Sequence, residues 1–271
     1  MTGTDKQKKQ TLLHILYLLL ALSVAVALYS GYRLYSDFRM RQEAMLFYAE
    51  LANAVATEPP TEPTTSATTP IEAPTKPPWR PYVDFAKLKG HMPDLIAWIR
   101  TPDTVIDYPV VQYSDNDFYL TYLANRTWNP NGAIFLDYRN AADFSDRNSL
   151  IYGHHLRTGD MFSSLTQYKD QSYYEAHPVV QLYTALQDYD IVLFSGYLIN
   201  PANEVPPLEF EDDADFTSYV DACKARSSFK SLVEVSASDV LVTLVTCDFA
   251  INDGRYILIG KLVATASAAA P

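Results

Sequence analysis

Four hydrophobic regimes follow one another along the chain. From Gln10 to Tyr32 no Asp, Glu, Lys or Arg occurs for 23 residues, with Leu12 to Leu20 at the centre. A helix that long, rising about 1.5 Å per residue, crosses a hydrocarbon layer about 30 Å thick. The pattern predicts a membrane anchor within residues 1–35. A removed signal peptide competes with it, because Ala25-Val26-Ala27 fits a small-residue cleavage pattern. The apolar run continues through Leu28 and Tyr29, which favours retention. Lys6, Lys8 and Lys9 precede the run and Arg33, Arg39 and Arg41 follow it, so the distribution of positive charge leaves the orientation open.

Residues 36–57 favour helix by propensity and predict a stalk continuing from the anchor. It should end near Thr57-Glu58, because Pro59-Pro60 lacks amide donors and pushes the preceding residue out of the helical region. Residues 58–81 are rich in Thr, Pro and Glu with no apolar period, which predicts an extended, poorly ordered spacer.

The fourth regime, residues 82–265, predicts a globular domain, with 266–271 a disordered tail. Val83 to Ile99 carries a helical pattern (Phe85, Leu88, Leu95, Trp98, Ile99) interrupted at Met92-Pro93. Short strand candidates follow at 105–112, 133–138, 149–152, 179–185 and 190–198, then at 240–247 and 256–263. The last two are joined through Asn252-Asp253-Gly254, which supplies the left-handed backbone of a turn. Residues 215–227 read as an inserted helix with Phe216, Tyr219, Val220 and Cys223 on one side. Many short strands with helices in their loops predict a β-barrel or a sandwich.

Charge narrows the partners. The net charge is -11 over 271 residues, and residues 81–271 carry 13 basic against 25 acidic side chains. Such a body argues against nucleic acid, whose phosphates require basic surface. Two cysteines, Cys223 and Cys247, are too few for a disulfide framework or a thiolate zinc site. A Cys223–Cys247 disulfide is conceivable in an oxidising compartment and would remove the nucleophile described next.

That nucleophile is Cys247, at the end of the uncharged run Val240 to Thr246. Most free cysteines are small core hydrophobes, and this is the plain alternative. Arg255, early in the following strand, faces it across a hairpin mouth, and a guanidinium there favours the thiolate and can donate to an oxyanion. Upstream, Asn148 to Gly153 is another strand, running into His154-His155. An imidazole at a strand end is the usual proton carrier for a thiol. His155 reads as a solvated neighbour and Cys223 as helix packing.

These residues resemble a known family. Thr243-Leu244-Val245-Thr246-Cys247 fits the TLxTC signature of sortases, Arg255 falls where their arginine lies, and Tyr152-Gly153-His154-His155 resembles their histidine segment. The likeness extends over roughly residues 82–263. Trp98-Ile99-Arg100, Ile106 to Gln112, Phe135 to Arg139, Met161-Phe162 and the helix-containing insertion between 200 and 238 look like class B segments. Val245 departs from the pattern, since class B members often have Ser there, and it puts the preferred peptide in question.

The resemblance implies a mainly β domain with inserted helices, a closed eight-stranded sortase-type barrel behind an N-terminal transmembrane helix. It implies a catalytic domain outside a Gram-positive cell and a Cys247–His154–Arg255 site with no cofactor or metal. By the same analogy Asn116, Leu120, Tyr152, Thr246 and Asp248 bind the substrate. The implied partners are the sorting-signal peptide of surface proteins and, as acceptor, a cell-wall peptidoglycan precursor or a pilin amine. The alternatives are a pilin-polymerising sortase and a non-catalytic surface binding module. Another wall-active cysteine enzyme fits worse, because here the histidine precedes the cysteine and the cysteine ends a strand.

Overall fold

The computed structural model describes residues 3–55, 81–248 and 254–265, with backbone alone at 3–6, 247 and 248. The chain divides into two compact units, 1–46 and 47–271. One helix, α1 (Gly3–Val55), begins in the first unit and ends in the second. Its segment from Gln7 onward is long and apolar enough to cross a membrane, and its apolar side chains from Leu12 to Leu34 are exposed. The expected end of the stalk near Thr57-Glu58, the spacer at 58–81 except for Pro81, and the tail at 266–271 lie outside the described residues, as do Asn252 and Asp253 of the expected turn.

The second unit is built on a closed barrel of eight strands. They are β1 (Leu95–Arg100), β2 (Asp107–Val111), β3 (Ile134–Leu136), β4 (Asn148–Gly153), β5 (Val179–Thr184), β6 (Asp188–Ile199), β7 (Leu241–Asp248) and β8 (Gly254–Thr265). Around the barrel the order is β1-β2-β3-β4-β7-β8-β6-β5. β2 with β3 and β4 with β7 are parallel, and the other neighbours antiparallel. Closure removes the unpaired edges that an open sheet exposes, and it decides between the barrel and the sandwich.

One expectation fails. Leu95, Trp98 and Ile99 lie on strand β1, and the helix before them, α2 (Phe85–Lys89), is only five residues long. The physical reason is that β1 has sheet partners on both sides, β2 and β5. Its side chains are buried on both faces, so the run has no polar alternation to mark it as a strand. Pro93 then separates it from the preceding helix.

β7 shows why the uncharged run exists. Leu241 to Thr246 are all buried, because one face of the strand looks into the barrel and the other is covered. The cover is α4 (Asp213–Arg226), whose Phe216, Val220 and Cys223 join a cluster with Leu241, Val245 and Ile257. The 4- and 3-residue steps between those helix positions put them on one face. Asp212 starts α4 by accepting from the backbone N–H groups of Ala214 and Asp215. Asp213 and Asp215 then sit in the first turn and Lys224 and Arg226 in the last, matching the helix dipole. A short helix, α3 (Gln171–Ala176), precedes β5 and is capped by Asp170, whose side chain accepts from the Ser172 N–H.

Candidate active site

The register across β4, β7 and β8 brings three positions together. Cys247 on β7 is paired directly with Arg255 on β8. On the other side of β7 the last parallel pair is Gly153 with Thr246, so His154 follows β4 where Cys247 follows Thr246. Histidine, cysteine and arginine positions therefore lie side by side on three adjacent strand ends at one rim. The sequence separates them by 93 and 8 residues, and only the parallel β4–β7 pairing closes the longer gap.

His154 has a built surrounding. Its Nε2 lies 2.8 Å from the carbonyl oxygen of Leu120, in a 3-10 turn over Phe118–Leu120. A carbonyl can only accept, so Nε2 carries the proton in that bond, and the neutral ring keeps Nδ1 as its basic nitrogen. Beneath the ring is Gly132, at φ +62°. A Cβ there would stand 2.6 Å from the Tyr119 carbonyl oxygen and 2.9 Å from His154 Cδ2. Only glycine fits that backbone and that space. At Gly153 a side chain would collide with Ile134 and Phe162, so this glycine lets the chain turn close over the barrel mouth.

The expected substrate residues divide. Leu120 contributes its carbonyl to His154 and keeps its side chain 39% exposed at the surface. Thr246 is buried, and among the described residues its Oγ1 has no hydrogen-bond partner. Arg255 is half-buried, and its Nη1 donates to the Gly254 carbonyl. Asp248 pairs with Gly254 through the backbone. Asn116 is committed within the protein at both ends: Nδ2 donates to Asp137 at 3.0 Å, and Oδ1 accepts from the Tyr138 N–H at 3.0 Å. Tyr152 donates its hydroxyl to the same Asp137 carboxylate at 3.2 Å.

Asp137 is the group that sequence reasoning passed over. Its side chain is fully buried, and Arg139 grips it through Nε at 2.9 Å and Nη2 at 2.8 Å. Burial by itself would raise this carboxyl. The side-chain and backbone donors of Arg139, with Asn116, together outweigh burial and hold it below the usual carboxylate range. Burial and the Asp137 charge push the Tyr152 phenol up. The available signal was the Asp-x-Arg spacing just after β3, where an acid and a base two residues apart share a turn. Cys223, by contrast, lies on the buried face of α4 with its thiol 3.3 Å from the Tyr197 hydroxyl, and burial raises it. This is the packing role expected of it.

The description Sortase domain matches residues 99–263. A curated relative, sortase B of Listeria monocytogenes, is 37% identical over 172 residues, covering 63% of this chain and 70% of its own. Among solved structures, sortase B from Bacillus anthracis superposes with a TM-score of 0.70 at 30% identity, over 84% of this chain and 100% of that one. A Staphylococcus aureus sortase B–substrate complex gives 0.64 at 30% identity, over 67% and 85%. Those matches span the same eight-stranded barrel whose rim carries positions 154, 247 and 255, and the chain belongs to the sortase family of cysteine transpeptidases.

Proposed function

We propose that Cys247 is the nucleophile, His154 the proton carrier and Arg255 the oxyanion partner of a transpeptidation on the sorting signals of secreted proteins. The supporting observation is the side-by-side placement of the three positions on β4, β7 and β8. The Cys247 thiolate attacks the carbonyl carbon of the scissile bond, and the negative charge gathers on the carbonyl oxygen. Arg255 stabilises that charge. As the C–N bond breaks, protonated His154 gives its proton to the leaving amine, and a thioester remains on Cys247. Neutral His154 then takes a proton from an incoming amine, which attacks the thioester and releases the thiolate. The thiolate and the protonated imidazole are regenerated and the acyl group passes from the leaving amine to the incoming one, so the cycle is redox-neutral.

The peptide binds extended beside Cys247, with Leu120, Thr246 and Asp248 at the groove. Thr246 Oγ1 is suited to donate to the acyl intermediate. Asn116 and Tyr152 act there by fixing Asp137 and the wall of the site. The S. aureus relative solved as a substrate complex supports a peptide ligand. The acceptor is a cell-wall amine, and the long apolar part of α1 holds the protein in the membrane with the barrel outside the cell. Incubating the full-length protein in detergent with LPxTG-like and NPxTN-like peptides and amine acceptors tests this reading. Intact-mass spectrometry should show an acyl adduct on Cys247 and its transfer to amine. An adduct on Cys223, or none with any peptide, would overturn it.

A further inference from the structure

The bed under His154 is tied to a helix that the reaction does not otherwise use. Tyr48 lies in the last turns of α1, within the second unit, and is 5% exposed. Its hydroxyl donates to the Gly132 carbonyl oxygen at 2.9 Å and accepts from the Ala124 N–H at 3.3 Å. Gly132 is the residue on which the imidazole of His154 rests. The Tyr48 ring also meets Tyr108 edge to face, with centroids 5.3 Å apart. Tyr108 in turn accepts from the Met161 N–H at 3.1 Å. Met161 closes the loop that starts at His154: it bridges to His155, and the next residue, Phe162, donates its N–H to the His154 carbonyl at 3.0 Å.

Both backbone points that frame the histidine are left-handed, Gly132 at φ +62° and Met161 at φ +56°. Gly132 adopts that backbone freely, whereas at Met161 it is sparsely populated and persists only where its surroundings over-determine it. Here two tyrosines in edge-to-face contact hold the two points, Tyr48 bonded to Gly132 and Tyr108 to Met161. We infer that Tyr48 is a positioning residue for His154, setting the imidazole through Gly132 and, by way of Tyr108, through Met161. The inference rests on His154 being the proton carrier. Tyr48 touches no reacting atom, so its loss should act on proton transfer and leave peptide binding nearly intact.

The test compares full-length Tyr48→Phe, His154→Ala and unsubstituted protein in detergent, with a sorting peptide and an amine acceptor. Removing the hydroxyl and its two buried hydrogen bonds should lower kcat by about five- to thirtyfold. KM for the peptide should stay within about twofold, and the His154 ring ¹⁵N resonances should move. Wild-type kcat and unmoved ring resonances in Tyr48→Phe, with His154→Ala inactive, would overturn the inference and leave the catalytic reading standing. An active His154→Ala would overturn both. If Tyr48→Phe does not fold, 3-fluorotyrosine at position 48 keeps ring and hydroxyl while changing the donor. Moved His154 resonances then support the inference, and unmoved ones overturn it.

Discussion

His154 Nε2 and the Leu120 carbonyl oxygen stand 2.8 Å apart, and this one bond decides which ring nitrogen carries the proton of the neutral imidazole. Because the carbonyl cannot donate, Nε2 holds a proton in both charge states, and Nδ1 gains and loses the other. The expected result is a neutral His154 in the Nε2–H form. Ring ¹⁵N chemical shifts, recorded at a pH where the histidine is neutral, report the tautomer, and a protonated Nδ1 in the neutral ring would contradict the assignment.

Gly132→Ala should be severe for two reasons at once. The new methyl group would lie in left-handed backbone and 2.6 Å from the Tyr119 carbonyl oxygen. Left-handed strain alone costs about 1–2 kcal/mol, and relief would push Leu120 and the histidine ring apart. A loss of activity of at least about a hundredfold is expected, larger than the fall in thermal midpoint explains. Turnover and melting measured on the same sample separate the two effects.

Asp137 makes a pH-dependent contribution to stability. Its folded value lies below that of the unfolded chain, where a carboxyl titrates near 3.9, about the usual value. The sign follows from linkage: the stabilisation is present above the unfolded value and is lost as pH falls through the folded one. Asp94, held down by Arg126 and Tyr119 against the opposing effect of burial, acts in the same direction. Asp107 acts in the opposite one, because burial raises it despite Trp98 and Arg100. Asp137→Asn should cost about 1–3 kcal/mol at neutral pH, since buried donors lose a charged acceptor while Arg139 stays partly solvated. The difference from wild type should shrink below about pH 4. Denaturant melts at pH 7 and pH 3.5 check it, and a constant difference would contradict it.

The two cysteines should differ sharply toward alkylating reagents. Burial on the inner face of α4 raises the Cys223 thiol, and the residue is 1% exposed, so at neutral pH it is protonated and shielded. Iodoacetamide at pH 7 should therefore modify the native protein once, at Cys247, with loss of activity. Cys223→Ala should keep activity and cost about 1–2 kcal/mol through the cavity it leaves beside Val220 and Leu241. Peptide mapping after brief labelling distinguishes the sites.

How much of this was legible in the sequence follows from how local each signal is. Seven of the eight strands announced themselves by short β-branched runs, and α4 by the spacing of Phe216, Val220 and Cys223. β1 did not, because burial on both faces erased its alternation and left Trp98 and Ile99 compatible with a helical period. The cysteine–arginine pair was readable from one hairpin. His154 joined it only through a strand-end motif, since parallel pairing of β4 with β7 leaves no trace in sequence spacing. The supports of His154 were invisible for the same reason. Gly132 and Leu120 reach it from a loop, and Tyr48 from a helix read as a stalk. Asn116 was expected at the groove, and the bonds of its amide to Asp137 and Tyr138 could not be read from the sequence.

The central claim is that positions 154, 247 and 255 form one reacting unit, and a single experiment addresses it most directly. Full-length protein and the variants Cys247→Ala, His154→Ala and Arg255→Ala are mixed with a cleavable sorting peptide and followed by rapid-quench intact-mass spectrometry. The account predicts a thioester on Cys247 in the unsubstituted protein and none in Cys247→Ala. It also predicts adduct formation slowed by at least about a hundredfold in each of the other two variants. Adduct forming at the unsubstituted rate in either His154→Ala or Arg255→Ala would contradict it.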